Sequence, residues 1–217
     1  MLDAKPGIRP EPERFGARVV GIDPARFGND ATAFIRRQGR VAYDLKREWK
    51  KDTMHVAGVT ARIIAEEQPD AVFLDIGGLG AGIYDRLCEL GHAGIVRPVN
   101  FGESAYAKDR YLNRRAEMWG GMRDWLRTPG GVLIPADDGL YADLIGPQYS
   151  YTSTSQLQLE SKESMRKRGV ESPDAGDALA LTFAEPVAPR GHDGRPLKTW
   201  RDRLNELGRP RRTGMTA

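Results

Sequence analysis

The sequence predicts a mixed α/β domain, and three observations predict it. Short strand patterns follow one another near the start, helical and apolar-strand patterns then alternate, and the body closes on an alanine- and leucine-rich helix. ARVVGI, residues 17–22, reads as an apolar strand ending at Asp23. ATAFIRR and RVAYDLKREW flank Gln38-Gly39 and form a hairpin of two more strands. Asp52-Thr53 caps a helix carrying Met54, Ala57, Ala61, Ile64 and Ala65 at helical spacing, closed by Gln68-Pro69. AVFLD is a continuous apolar run, hence a buried strand, with Asp75 at its C-terminal end. After the turn GGLGAG, IYDRLCEL is a helix ended by Gly91, and GIVRPVNF is a fifth strand.

Residues 108–127 give the longest helical pattern, with Leu112, Ala116, Trp119, Met122 and Leu126 on one stripe. Arg110, Arg114, Arg115, Arg123 and Arg127 fall largely off it, which suits either the solvated face of a core-packed helix or a row of phosphate contacts. GGVLIPADD reads as a short strand and turn, and DLIGPQYSYTSTSQLQLE as a polar β-hairpin. Ser172-Pro173 supplies an N-cap and first helical position for PDAGDALALTFAE, buried by Leu179, Leu181 and Phe183.

At 217 residues, 40% hydrophobic and 29% charged, the chain suits one globular domain. No apolar run reaches membrane-spanning length, and the first residues carry no signal-type apolar stretch. Cys88 is the only cysteine, and His55, His92 and His192 are scattered, so a disulfide scaffold and a zinc cluster are both excluded and a reducing, cytoplasmic setting is expected. Net charge is +3, but residues 186–217 hold eight Lys and Arg against three Asp and Glu, leaving 25 against 27 before them. The expected division is an N-terminal arm over 1–16, a folded body over 17–185 and a basic tail over 186–217. A short helical pattern spans Thr199 to Leu207 in that tail, which either touches nucleic acid or stays solvated.

The carboxylates carry the chemistry. An Asp at the end of an apolar strand is costly unless capped, hydrogen-bonded or neutralised by a cation. If the first and fourth strands are parallel neighbours, Asp23 and Asp75 emerge side by side. Asp174 and Asp177, three apart, share one helix face and can look at the same point. Such oxygen donors favour Mg²⁺ or Mn²⁺ over zinc. Each acid also has an ordinary alternative: Asp23 a turn cap before Pro24, Asp30 turn chemistry, Asp174 a favourable helix-start charge.

These strings, in order, resemble the nuclease domain of the large terminase subunit of tailed bacteriophages. They are VVGIDPARFGNDATAF, FLDIGGLGAGIYDRL, VNFGESA, YLNRRAEMWGGMRDWL, LESKESMRKRG and SPDAGDALALTF. The resemblance implies a ribonuclease-H-like mixed five-stranded sheet flanked by helices, with an added β-hairpin. It implies a metal-dependent endonuclease that cuts concatemeric double-stranded viral DNA during packaging in the host cytoplasm, with little sequence preference. Asp23, Asp75 and Asp177, with Asp174 alongside, are the implied catalytic and metal-binding acids for two Mg²⁺ or Mn²⁺ ions. Asp30 is an implied helper of the second ion, and Lys162 an implied basic residue at the active site. Expected phosphate contacts are Arg110, Arg114, Arg115, Arg166, Lys167 and Arg168, and the hairpin from Gln148 to Leu159 is a candidate to touch or gate DNA.

The implied partners are a packaging ATPase domain, a small terminase subunit and a portal, with no membrane and no nucleotide cofactor. The ATPase's phosphate loop would need a Gly-Lys pair, which this chain lacks. GGLGAG does not fit the dinucleotide-binding G-x-G-x-x-G, and GIDPARFGND resembles the phosphate loop of sugar kinases without their second domain. A catalytically silent DNA-binding or assembly module is the remaining alternative.

Overall fold

The computed structural model describes residues 14–25 and 30–190. Most of the expected arm, the tail from residue 191 with its pattern at 199–207, and His192 lie outside the described residues. The body opens with β1 (Arg18–Asp23), β2 (Ala31–Gln38) and β3 (Val41–Trp49), followed by α1 (Thr53–Glu67), β4 (Ala71–Asp75), α2 (Gly80–Glu89) and β5 (Val96–Val99). Then come α3 (Arg114–Leu126), α4 (Asp138–Ile145), the hairpin β6 (Tyr149–Tyr151) and β7 (Leu157–Leu159), α5 (Lys162–Lys167) and α6 (Asp174–Leu181). The five-stranded sheet has the order β3-β2-β1-β4-β5, and β6-β7 stands apart. The meander pairs antiparallel, whereas β4 joins β1 and β5 in parallel.

Both faces of the central strands are covered, which is why AVFLD reads as apolar throughout. Alternation along each strand sends Val20, Ile22, Val72 and Leu74 to the layer formed with Val56 and Ile64 of α1 and Ile83 and Leu87 of α2. Val19, Ile35 and Phe73 face the opposite layer, packed against Met118 and Trp119 of α3, Leu140 of α4 and Leu179 of α6. Asp52 caps α1 by accepting from the His55 amide at 2.7 Å.

Three local expectations are corrected. The helix expected from residue 108 begins at Arg114, because Asn113 takes the N-cap position and accepts from the Ala116 amide, and Leu112 is 42% exposed instead of lying on the core stripe. GGVLIPADD gives only an isolated bridge from Leu133 to Val41, and the following residues form α4, capped by Asp137, which runs into the start of the expected hairpin at Asp143. Pro173, not Ser172, stands at the N-cap of α6 and supplies no side-chain bond; Asp143 of α4 accepts from the amides of Ala175 and Gly176 instead.

The placement of α6 depends on Gly21. A Cβ there would stand 1.9 Å from the Ala178 carbonyl oxygen, so α6 lies on β1 as closely as backbones allow. Gly21→Ala is expected to destabilise the domain by about 3 kcal/mol or to prevent folding, because the obstacle is backbone on a buried helix. Urea denaturation beside the wild type measures it.

Candidate active site

The parallel register runs from Val19 opposite Ala71 to Ile22 opposite Leu74, so the next residues, Asp23 and Asp75, end adjacent strands side by side. α6 crosses the same end of β1 and brings Asp174 and Asp177 with it. All four acids are buried: Asp23 is 4% exposed, Asp75 9%, Asp174 8% and Asp177 0%. Into their midst reaches Lys162, the first residue of α5. Its Nζ lies 3.0 Å from Asp23 Oδ2, 3.1 Å from Asp177 Oδ2 and 3.8 Å from Asp174 Oδ1.

Electrostatics divide the four. Burial, reinforced by the other three carboxylates and opposed by Lys162, pushes the Asp23 carboxyl up to about 8. Burial also raises Asp75, against the Gly77 amide that donates to its Oδ1 at 3.0 Å, and raises Asp174, against the Ala31 amide that donates to its Oδ2 at 2.6 Å. For Asp177 burial is outweighed, first by Arg115 and then by Lys162, and its carboxyl is held below the ordinary range. Burial would lower Lys162, but Asp23, Asp177 and Asp174 overcome it and keep the ammonium charged.

Asp177 owes its charge to α3. Arg115 donates Nε to Oδ1 at 2.9 Å and Nη2 to Oδ2 at 3.1 Å, and Trp119 donates Nε1 to Oδ1 at 2.8 Å. Neither residue was expected in this role. Arg115 was placed among phosphate contacts and Trp119 in the core, although their i, i+4 spacing on one helix face was a legible sign that both meet one group. Asp143, which holds the start of α6, was likewise missed, lying in a segment read as turn and hairpin.

The expected DNA contacts separate. Arg114 and Arg115 are buried, 5% and 8% exposed, and internally paired, Arg114 with Glu117 and the Ala184 carbonyl, so neither faces solvent as a phosphate contact requires. Arg110 is exposed beside the Tyr111 ring, and Lys167 is exposed and pairs with Glu163. Arg166 bonds Asp30 at 2.8 Å, and Arg168 bonds Glu160. Asp30 thus sits beside the cluster, next to Ala31, with its carboxylate turned to Arg166. A cleft of about 390 Å³ opens against Asp75 and Lys162, bordered by Gly77, Phe101, Asn113 and Ser161.

Among the described residues no three His, Cys, Asp or Glu side chains stand as a ready-made ion cage. The donor chemistry nevertheless fits a hard divalent cation. Four carboxylates face only two cationic side chains, Lys162 and Arg115.

No family model matches the chain, and no curated protein matches it. Solved structures do. The nuclease domain of the large terminase subunit gp2 of bacterial virus Sf6 superposes with a TM-score of 0.71 at 22% identity, over 81% of this chain and 91% of that one. The large terminase nuclease from thermophilic phage G20c gives 0.58 at 16%, over 78% and 82%. The large terminase nuclease domain of Thermus phage P74-26 gives 0.51 at 16%, over 85% and 87%. A point mutant of the Sf6 domain has also been solved with manganese, and the G20c domain with magnesium. The chain therefore has the ribonuclease-H-like fold of terminase nuclease domains.

Burial lifts the Asp143 carboxyl from 3.8 to about 6, against the two α6 amides that hold it. A raised carboxyl contributes most to stability below its unfolded value, and that contribution is lost as pH rises through about 6. Asp143→Asn keeps an oxygen for both amides and removes the buried charge. It should therefore be more stable than the wild type by about 1–2 kcal/mol at pH 7.5, discounted for partial solvent access, with the advantage shrinking toward pH 4. Urea unfolding of both proteins across that range checks it.

Proposed function

We propose that the chain is a divalent-metal-dependent endodeoxyribonuclease, the nuclease domain of a viral DNA-packaging terminase, acting on double-stranded DNA. The observation that carries this reading is the convergence of Asp23, Asp75, Asp174 and Asp177 at the C-terminal ends of parallel β1 and β4, within a fold shared with terminase nuclease domains. Asp23, Asp75 and the acids of α6 would hold Mg²⁺ or Mn²⁺, which supplies Lewis-acid stabilisation of the phosphodiester and a water activated for attack.

The chain's own groups do the rest. Asp23 and Asp75 end rigid, buried strands, so their carboxylates are fixed before substrate arrives. Lys162, with a side chain 32% exposed, holds a proton on Nζ where acids and incoming phosphate meet, and offsets the repulsion between them. The cleft beside Asp75 admits the strand to be cut. Arg110 and Lys167, with Arg166 released from Asp30, suit phosphate contacts that position the duplex without reading sequence, so cutting has little sequence preference. Asp30, freed in the same exchange, precedes Ala31, whose amide bonds Asp174, and would support a second ion. The partners that follow are a packaging ATPase domain, a small terminase and a portal, and the setting is the host cytoplasm, where concatemeric viral DNA accumulates.

A second reading, a DNA-binding or assembly module without turnover, has one observation in its favour: the Lys162 ammonium occupies the centre of the acids. One assay separates the two. Supercoiled plasmid incubated with the chain and Mn²⁺ or Mg²⁺ should be nicked and then linearised. EDTA should stop the reaction, and Asp75→Ala should slow it by a factor of about 10³ or more. Intact plasmid with every metal, despite a folded protein that shifts DNA in a gel, supports the silent module.

A further inference from the structure

β3 ends at Trp49, which stands opposite Ala31 in the antiparallel register, and the Ala31 amide is the donor that holds Asp174 Oδ2. The C-terminal end of β3 therefore lies on the same edge of the sheet as the acids, two strands away from β1 and Asp23. At about 5 Å between neighbouring strands that is about 10 Å, the axial rise of about three nucleotides of B-DNA. The cleft beside Asp75 opens on the other flank of the cluster, toward Phe101 and Gly102 beyond β5.

Side chains alternate along β3, and Arg47 bonds Asp137 of α4, so Trp49 falls on the sheet face that carries α4 and α6. Its ring is not packed into that layer: Trp49 is 54% exposed, and Lys50 and Lys51 beside it are exposed as well. The neighbouring cations are committed, Lys46 to Glu48, Arg47 to Asp137 and Arg166 to Asp30. Among the described residues neither Lys50 nor Lys51 has a carboxylate partner, and the adjacent Asp52 is engaged in capping α1 through the His55 amide. Lys50 moreover holds a left-handed backbone, φ 55°, which glycine or asparagine takes at lower cost. An exposed indole followed by two free ammonium groups, one of them kept at a strained turn, contributes little to the core and stands at the active edge.

We propose that Trp49, Lys50 and Lys51 form a platform that holds a DNA strand about three nucleotides from the acids. Lys50 and Lys51 contact phosphates, and Trp49 stacks on a base left unpaired there. The DNA path then runs from the cleft beside Asp75, across the acids and the Asp30–Arg166 pair, to the end of β3. The platform rests on the nuclease reading above and adds to it a second, non-catalytic hold on the substrate.

The test is fluorescence anisotropy of the full chain in EDTA, where no cleavage intervenes. The probes are a labelled blunt duplex and the same duplex with a single-stranded flank, each titrated at several salt concentrations. Lys50→Asn/Lys51→Gln removes both charges and places at position 50 a residue that accepts the left-handed turn. It should make the slope of log affinity against log salt shallower by about 2. Lys46→Gln/Arg62→Gln removes two charges from the α1 side, where Glu48 joins Lys46 to His55, and should change that slope by less than about 0.5. Trp49→Ala should weaken binding to the flanked duplex by about fivefold or more and to the blunt duplex by less than about twofold. Equal changes of slope in the two double variants, or an equal loss on both probes in Trp49→Ala, overturn the platform and leave the nuclease reading standing. A folded wild type that binds neither probe overturns the nuclease reading, and the platform with it.

Discussion

Four buried carboxylates gather at the end of β1, three of them around one ammonium, and the surrounding structure is arranged around that imbalance. Like charges brought together out of water repel, and the molecule answers in two ways. Asp23 is pushed toward its protonated form, with a carboxyl at about 8, whereas Asp177 keeps its charge because Arg115, Trp119 and Lys162 surround it.

Holding such a cluster demands a stiff frame. The parallel pairing of β1 and β4 fixes Asp23 beside Asp75, and Gly21 lets α6 sit against the β1 backbone. Gly80 does the same for α2, since a Cβ there would lie 1.7 Å from the Asp75 carbonyl oxygen. α4 contributes Asp143 to the amides at the start of α6, so a half-buried acid serves as a cap where Pro173 cannot. Stability is given up locally for geometry, a pattern common to sites that must bind charge.

Sequence reasoning reached the sheet and the four acids because their signals are local. A continuous apolar run ending in Asp identifies Asp23 and Asp75, and i, i+3 spacing identifies Asp174 and Asp177. It failed where partners are distant. Arg115 and Trp119 share one helix face, but the acid they meet lies about sixty residues away, and their spacing does not say which acid it is. Arg114 was misjudged for the same reason: off the apolar stripe of its helix, it is nonetheless buried, bonded to the distant Ala184 carbonyl and stacked on Tyr106. The segment before β6 was misread as turn because Asp137-Asp138-Gly139 carries strong turn chemistry, and the N-cap it also encodes prevailed once Leu140 found a place in the core. Lys162 was visible only through resemblance, since a lysine after Ser161 has the pattern of an ordinary helix start.

The claim that the acids form an uncompensated cluster relieved by a divalent ion is tested most directly by thermal unfolding with and without Mn²⁺. The wild type should gain several degrees in melting temperature with saturating Mn²⁺, because the ion binds only the folded state. Asp23→Asn should melt no lower than the wild type in EDTA and should lose most of the Mn²⁺ gain. A wild type indifferent to Mn²⁺, or an Asp23→Asn variant that melts well below it in EDTA while keeping the full Mn²⁺ gain, would contradict the account.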